Sequence, residues 1–303
     1  MTDQGDILNF RGVDGLELAA RVWNPGAGAR AETVLCLHGL TRNSRDFTAL
    51  AEVLGRSYRV VAPDQRGRGL SGYADPSTYV LPIQIQDTLG LLDRLDIERC
   101  VVIGTSMGAL MAVSMAALAP DRIAGVVLND AGPVIDPAGL ARIAGYVAES
   151  SDPETWAAAT RRLQTVHGGS FPTYTDDEWE RFARWTYVWG EAGLKLDYDP
   201  RLREAVAATA GTFPDLWPVF ESLKHVPSLM LRGAVSDLLS ADTAQEVSRR
   251  FGTRLVTVPD RGHAPDLSEV EAMLAILAFL ADDRVRRRLK NGRSESEMRA
   301  VSF

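Results

Sequence analysis

The chain has 303 residues, of which 46% are hydrophobic, and its formal net charge is −7. This length and composition can bury a large core, which excludes a disordered protein, and the acidic balance argues against nucleic acid as a partner. The N-terminal residues MTDQGDILNF lack the features of a secretory signal and no later run is long enough to span a bilayer, so we expect a cytoplasmic protein with no membrane partner.

Short apolar runs rich in valine, leucine and isoleucine recur along the chain, and stretches with helical periodicity separate them. This alternation predicts an α/β fold with a mostly parallel central sheet flanked by helices. The predicted strands are residues 16–23, 33–38, 58–64, 100–105, 123–130, 228–233 and 254–260.

One long gap interrupts this alternation. Between about Asp136 and Phe220 the strand rhythm stops, and helical patterns broken by proline and glycine replace it. We therefore predict a helical cap of residues 136–217, inserted into a core that residues 1–135 and 218–303 form.

The predicted insertion contains five of the six tryptophans of the chain. Trp179, Phe182, Trp185 and Trp189 recur at helical spacing, which predicts one aromatic helix face. That face can pack on the main domain, or it can line a mostly apolar substrate chamber, and the sequence leaves both open. Trp185 and Trp189 are the candidate substrate-binding residues of the insertion.

The stretch VVIGTSMGAL, residues 101–110, begins as a buried strand and ends as a helix, with Ser106 at the junction. Gly104 and Gly108 flank the serine and give the clearance that a tight turn needs. This G-x-S-x-G pattern is typical of a nucleophile elbow, which projects a serine hydroxyl above the carboxyl edge of a sheet. Ser106 is thus the candidate nucleophile, although a glycine-flanked turn whose serine only caps the helix has the same pattern.

A serine nucleophile needs a histidine base to take its proton. Of the four histidines, His263 follows the last predicted strand in a loop that can reach back over the sheet edge, so we predict that it is the base. His38 ends a strand and is a candidate substrate-binding residue. For His167 and His225 a surface or packing role is expected.

The base needs a carboxylate to hold its ring in one tautomer. Asp237 follows the strand that precedes the histidine, and we predict that it is this acid. Asp130, which closes the strand 123–130 at the same edge of the sheet, is the alternative acid. In the NDAGP turn Asp130 can also serve only to bind its own backbone.

Acyl transfer also needs donors for the developing oxyanion. Met107, directly after the candidate nucleophile, offers a backbone N–H at a helix N-terminus, and Leu40, in the loop LCLHGLTRNS, offers a second. We predict that these two amides form an oxyanion hole.

Four motifs in chain order, HGLTRNS, DQRGRGLS, GTSMG and GH, give the chain a resemblance to the α/β-hydrolase fold family with a helical cap. The resemblance covers nearly the full length. It implies that Ser106 is the nucleophile, His263 the base and Asp237 the acid, in the chain order that this fold requires. In DQRGRGLS, the side chains of Asp64 and Arg66 are expected to be mainly structural, as is that of Ser71.

The serine nucleophile makes haloalkane dehalogenase and epoxide hydrolase activities improbable, because those relatives use an aspartate at the elbow. The resemblance therefore implies a serine hydrolase that cleaves a small or medium apolar carboxylic ester or lactone through an acyl-enzyme. A C–C bond hydrolase acting on a vinylogous diketone and a small-molecule receptor without enzymatic activity remain open. No cofactor or metal is expected, and Cys36 and Cys100 lack metal-ligand spacing. The sequence leaves open whether the chain is a monomer or a homodimer.

Overall fold

The computed structural model describes residues 5–24, 26, 31–148, 152–191, 193–209 and 214–290. The last thirteen residues of the predicted core, 291–303, lie outside the described residues. The strands are β1 Asp6–Arg11, β2 Glu17–Trp23, β3 Thr33–Leu37, β4 Arg59–Pro63, β5 Cys100–Thr105, β6 Ile123–Asn129, β7 Tyr187–Gly190, β8 Gly193–Leu196, β9 Ser228–Gly233 and β10 Arg254–Val258.

Eight of these strands form the central sheet, in the order β1-β2-β4-β3-β5-β6-β9-β10. Strand β2 pairs antiparallel with β1 and with β4, and every other pair in this sheet is parallel. The predicted α/β class and mostly parallel sheet are confirmed. Strand β1 was not predicted, because on this exposed edge strand only one of six residues, Phe10, is buried and the hydrophobic signal is weak.

Helices cover both faces of the sheet. They include α1 Thr48–Leu54, α2 Leu81–Arg94, α3 Met107–Leu118, α4 Pro137–Ala148, α5 Trp156–His167, α6 Asp176–Thr186, α7 Leu202–Thr209, α8 Trp217–Phe220, α9 Ala241–Phe251 and α10 Val270–Leu280. None of the described helices has both the length and the apolar character needed to cross a bilayer.

The side chains of β5 show why this strand reads as a continuous apolar run. Cys100 and Val102 join the core cluster under α2, α3 and α9, whereas Val101 and Ile103 join the cluster under α1 and α10. Alternate residues of a strand point to opposite faces, so a strand covered on both faces must be apolar throughout. This packing fixes the strand from which Ser106 emerges.

The segment 137–220 lies between β6 and β9 and contains helices α4 to α8 together with the β7–β8 hairpin. It has a hydrophobic cluster of its own, which includes Trp179 and Phe171. Helices thus occur where the sequence predicted them, and the assignment of residues 136–217 as a cap stays a prediction. The prediction that Trp189 continues the aromatic face is wrong: α6 ends at Thr186, and Trp189 lies on β7 with 61% of its surface exposed.

The DQRGRGLS loop after β4 is held by buried polar contacts. The fully buried guanidinium of Arg66 donates to the carboxylates of Asp87 and Asp14. The carboxylate of Asp64 accepts from two backbone N–H groups, and the hydroxyl of Ser71 donates to the backbone carbonyl of Asp64. These contacts satisfy buried charges within the loop, which agrees with the expected structural role.

Candidate active site

Ser106 stands on the turn between β5 and α3. Its backbone has φ 53° and ψ −114°, a conformation that residues other than glycine rarely adopt. A Cβ at Gly104 would overlap the carbonyl of Gly108, and a Cβ at Gly108 would overlap the carbonyl of Leu37. Both glycines are therefore required by the close approach of backbone on either side of the serine.

His263 lies in the loop after β10 and contacts the serine directly. Its Nε2 is 2.9 Å from Ser106 Oγ, and its side chain is only 8% exposed. The predicted pairing of these two side chains is therefore present in the geometry.

Asp130, which directly follows β6, is the carboxylate that contacts the histidine ring. His263 Nδ1 lies 2.8 Å from Asp130 Oδ2, the geometry of an N–H donating to that oxygen. Oδ2 also accepts from the hydroxyl of Ser236 at 2.6 Å, and Oδ1 accepts from the backbone N–H of Gly233 at 2.9 Å. The side chain is fully buried, so its orientation is set by these three donors.

The predicted position of Asp237 beside the histidine is wrong. In the turn after β9, Ser236 faces Asp130, so the next side chain points the other way, toward α4. There Asp237 forms a bidentate pair with Arg142, at 2.5 and 2.8 Å, and these hydrogen bonds lower the pKa of the Asp237 carboxyl. The alternative acid, Asp130, occupies the position that was predicted for Asp237.

Leu40 and Met107 both line the cavity in front of Ser106. Met107 is the first residue of α3, where the backbone N–H has no partner within the helix. Neither amide donates a hydrogen bond to a residue in the described ranges. Both N–H groups are thus available to an oxyanion, and their catalytic role stays a prediction.

His38 does not line the cavity, so its prediction as a substrate-binding residue is wrong. The ring is fully buried beneath the loop, where Nδ1 donates to the carbonyl of Gly39 at 2.7 Å and Nε2 accepts from the N–H of Gln65 at 3.0 Å. Burial lowers the pKa of His38 to about 4, which keeps the ring neutral. Both nitrogens are used to hold the loop that carries Leu40.

A cavity of about 480 Å³ opens in front of Ser106, between the sheet edge and the segment 137–220. Its walls are mostly apolar and aromatic. They include Leu110, Ile143, Leu163, Phe182, Trp185 and Leu238. The candidate residue Trp185 is therefore at the cavity, whereas Trp189 is not.

Two arginines near the cavity, Arg42 and Arg142, are paired with carboxylates. Arg42 donates to Asp46 through two nitrogens, at 2.9 and 2.6 Å, and to the hydroxyl of Thr186. Arg142 is bound to Asp237 in the same bidentate way. These two arginines therefore add little net positive charge to the chamber.

The histidine loop is bonded to the segment 137–220. The N–H of Gly262 donates to the carbonyl of Ser170 at 2.7 Å, and the hydroxyl of Tyr174 donates to the carboxylate of Asp266 at 2.5 Å. Burial, with the nearby charge of Asp266, raises the pKa of the Tyr174 hydroxyl. The chamber wall and the loop that carries His263 thus hold each other in place.

Sequence reasoning missed two side chains at this site. His167, expected to have a surface or packing role, is at the cavity, and Ser236 supports Asp130. A polar residue within a predicted chamber wall was the only signal for His167, and Ser236 carried no signal beyond its place next to Asp237. Within the described ranges, no group of histidine, cysteine, aspartate or glutamate side chains could hold a metal ion.

The chain is similar to one known protein family and to three known proteins. A model of the alpha/beta hydrolase fold family matches residues 32–265. The 3-hydroxybutyrate-oligomer hydrolase of Cupriavidus necator is 38% identical over 262 residues, which cover 82% of this chain and 87% of that protein. The 2-(acetamidomethylene)succinate hydrolase of Mesorhizobium japonicum is 29% identical over 278 residues, covering 91% and 96%.

A crystal structure of an alpha/beta hydrolase from Novosphingobium aromaticivorans superposes with a TM-score of 0.87 at 44% identity. The matched region covers 93% of this chain and 99% of that one.

Proposed function

Since this chain belongs to the alpha/beta hydrolase fold family, we propose that it is a serine hydrolase that cleaves a small or medium carboxylic ester or lactone through an acyl-enzyme. One observation carries the proposal: His263 is 2.9 Å from Ser106 Oγ through one ring nitrogen and 2.8 Å from Asp130 through the other. A hydroxyl, an imidazole and a buried carboxylate in this order are what nucleophilic catalysis by serine needs.

In the proposed mechanism, Asp130 accepts a hydrogen bond from His263 Nδ1–H, which leaves Nε2 unprotonated and facing the serine. Nε2 takes the proton of Ser106 as Oγ attacks the substrate carbonyl carbon. The oxyanion accepts hydrogen bonds from the backbone N–H groups of Leu40 and Met107.

The tetrahedral intermediate then collapses. The protonated His263 gives its proton to the leaving alkoxide, and the acyl group stays on Ser106 as an ester. His263 next takes a proton from water, whose oxygen attacks the acyl carbon, and a second collapse frees the acid and restores the serine hydroxyl.

The chamber supports a substrate that is largely apolar. Its volume of about 480 Å³ lies in the ordinary range for small-molecule sites, and its walls are mostly aliphatic and aromatic. Arg42 and Arg142 are each neutralised by a carboxylate, which disfavours a substrate anion placed next to them. The name of the Cupriavidus necator relative points to esters of hydroxy acids as the substrates to try first.

The proposal is tested by the time course of p-nitrophenol release from p-nitrophenyl butyrate by the wild type, by Ser106→Ala and by Ser114→Ala. Ser114 lies on the same helix but away from the cavity, so Ser114→Ala is the matched control. We expect sustained turnover by the wild type and Ser114→Ala, and its loss in Ser106→Ala.

Three other outcomes would contradict the proposal or favour a different function. Equal rates in wild type and Ser106→Ala would contradict the proposal. A single burst with no further turnover would favour a receptor, and faster cleavage of a dienol diketone of similar size would favour a C–C bond hydrolase.

A further inference from the structure

His167 is the last residue of α5 and lines the cavity. Its ring packs in T-shaped geometry with two aromatic side chains, Tyr146 at 5.2 Å and Phe182 at 5.5 Å between ring centroids. These contacts fix the plane of the imidazole.

Neither ring nitrogen of His167 makes a hydrogen bond to a residue in the described part of the chain. Two polar side chains near it in the wall do have partners among the described residues. The hydroxyl of Tyr174 donates to Asp266, and Arg42 donates to the carboxylate of Asp46. His167 therefore differs from these two neighbours in presenting hydrogen-bonding groups that no described residue uses.

The imidazole of His167 is neutral. Burial, followed by the positive charges of Arg42 and Arg142 and the nearby His263, lowers the pKa of His167 to about 3. A neutral imidazole has one N–H donor and one unprotonated nitrogen that accepts. Such a ring matches a hydroxyl group, which also both donates and accepts, better than it matches a carboxylate.

We propose that His167 is a specificity-determining residue that binds a hydroxyl group of the substrate, so that the enzyme prefers hydroxyacyl esters to unsubstituted acyl esters of the same length. This inference rests on the proposed ester hydrolysis. In a chamber whose walls are mostly apolar, leaving the imidazole without a partner when substrate excludes water is unfavourable. A hydroxyl that meets it removes that cost.

The test compares kcat/KM for ethyl 3-hydroxybutyrate, each enantiomer separately, with kcat/KM for ethyl butyrate, measured by the acid released. We expect the wild type to prefer one hydroxyester by about five- to tenfold, the value of one hydrogen bond. In His167→Phe, which keeps an aromatic ring against Tyr146 and Phe182, the ratio is expected to fall to about 1, mainly through a lower kcat/KM for the hydroxyester.

Two further variants sharpen the test. His167→Gln keeps a donor and an acceptor and is expected to retain part of the preference. His225→Gln, at an exposed histidine outside the cavity, is the matched control and should leave the ratio unchanged. Because each ratio is measured within one protein, a smaller folded fraction in a variant cancels.

An unchanged ratio in His167→Phe, or an equal fall for both esters, would overturn the inference. If the turnover of these esters still depends on Ser106, that result leaves the proposed hydrolase function intact. If no ester shows Ser106-dependent turnover, the proposed function itself fails, and the inference with it.

Discussion

Replacing Asp130 by asparagine should remove most of the activity, because of how the three donors around this carboxylate are arranged. Gly233 N–H and the hydroxyl of Ser236 donate to its oxygens, and His263 Nδ1 lies 2.8 Å from Oδ2. An asparagine whose oxygen accepts from Gly233 turns its NH₂ group toward the histidine. Nδ1 must then accept, so Nε2 carries the proton and cannot take one from Ser106.

The expected cost of this wrong tautomer is about 10⁴ in kcat, equivalent to about 5 kcal/mol of transition-state stabilisation. Asp237→Asn is the matched substitution at the acid predicted from sequence. Its carboxylate is 37% exposed and contacts Arg142 instead of the histidine, so we expect kcat to change by less than about threefold.

Both variants are compared with the wild type by the initial rate of p-nitrophenyl butyrate hydrolysis at saturating substrate, with circular dichroism confirming that each is folded. A large loss in Asp237→Asn with near-normal rates in Asp130→Asn would refute the reasoning, since it would mean that Asp237 orients the base during turnover.

Three further predictions concern stability. Gly108→Ala would drive a Cβ into the backbone carbonyl of Leu37, so we expect a loss of about 3 kcal/mol or more in the free energy of unfolding, visible as a lower urea midpoint. Arg66→Gln would leave the buried carboxylate of Asp87 without its charged partner, with an expected loss of about 3–5 kcal/mol; an unchanged midpoint would contradict this. The pKa of His167 falls from 6.5 to about 3 on folding, so the unfolded chain binds a proton that the folded chain does not, and stability drops as the pH falls below about 6.5. His167→Phe lacks this group, so its free energy of unfolding relative to that of the wild type should increase by about 3 kcal/mol when the pH is lowered from 7 to 4. If the two proteins gave parallel curves of unfolding free energy against pH, this prediction would be wrong.

The fold family and two residues of the site could be read from local sequence. A run of apolar β-formers, a G-x-S-x-G turn and an apolar helix specify the elbow at Ser106, because the chain within a few residues of it creates the steric demand. The sequence also predicts that His263 lies in the loop after the last strand. Parallel strands place such loops at one edge of the sheet, which is where the serine lies. Both signals depend on residues that are close together in the sequence, so they can be recognised without knowledge of the tertiary packing.

The acid could not be chosen from the sequence, because Asp130 and Asp237 both follow strands at the same edge of the sheet. The tertiary structure decides between them through the turn after β9, which aims Ser236 at Asp130 and Asp237 at Arg142. The direction of a side chain in such a turn depends on contacts between segments about a hundred residues apart along the chain.

Which aromatic residues and histidines line the chamber could likewise not be predicted from the sequence. Helical spacing alone grouped Trp189 with Trp185, but α6 ends at Thr186 and the chain continues as a strand, which leaves Trp189 exposed. Nothing in the sequence near His38 or His167 tells whether its ring faces a loop or a cavity, and the structure places His38 beneath the loop that carries Leu40 and His167 at the cavity. By itself the sequence determined the elements and the groups that local sterics demand, whereas only the packing of distant segments decided which side chains face one another across the site.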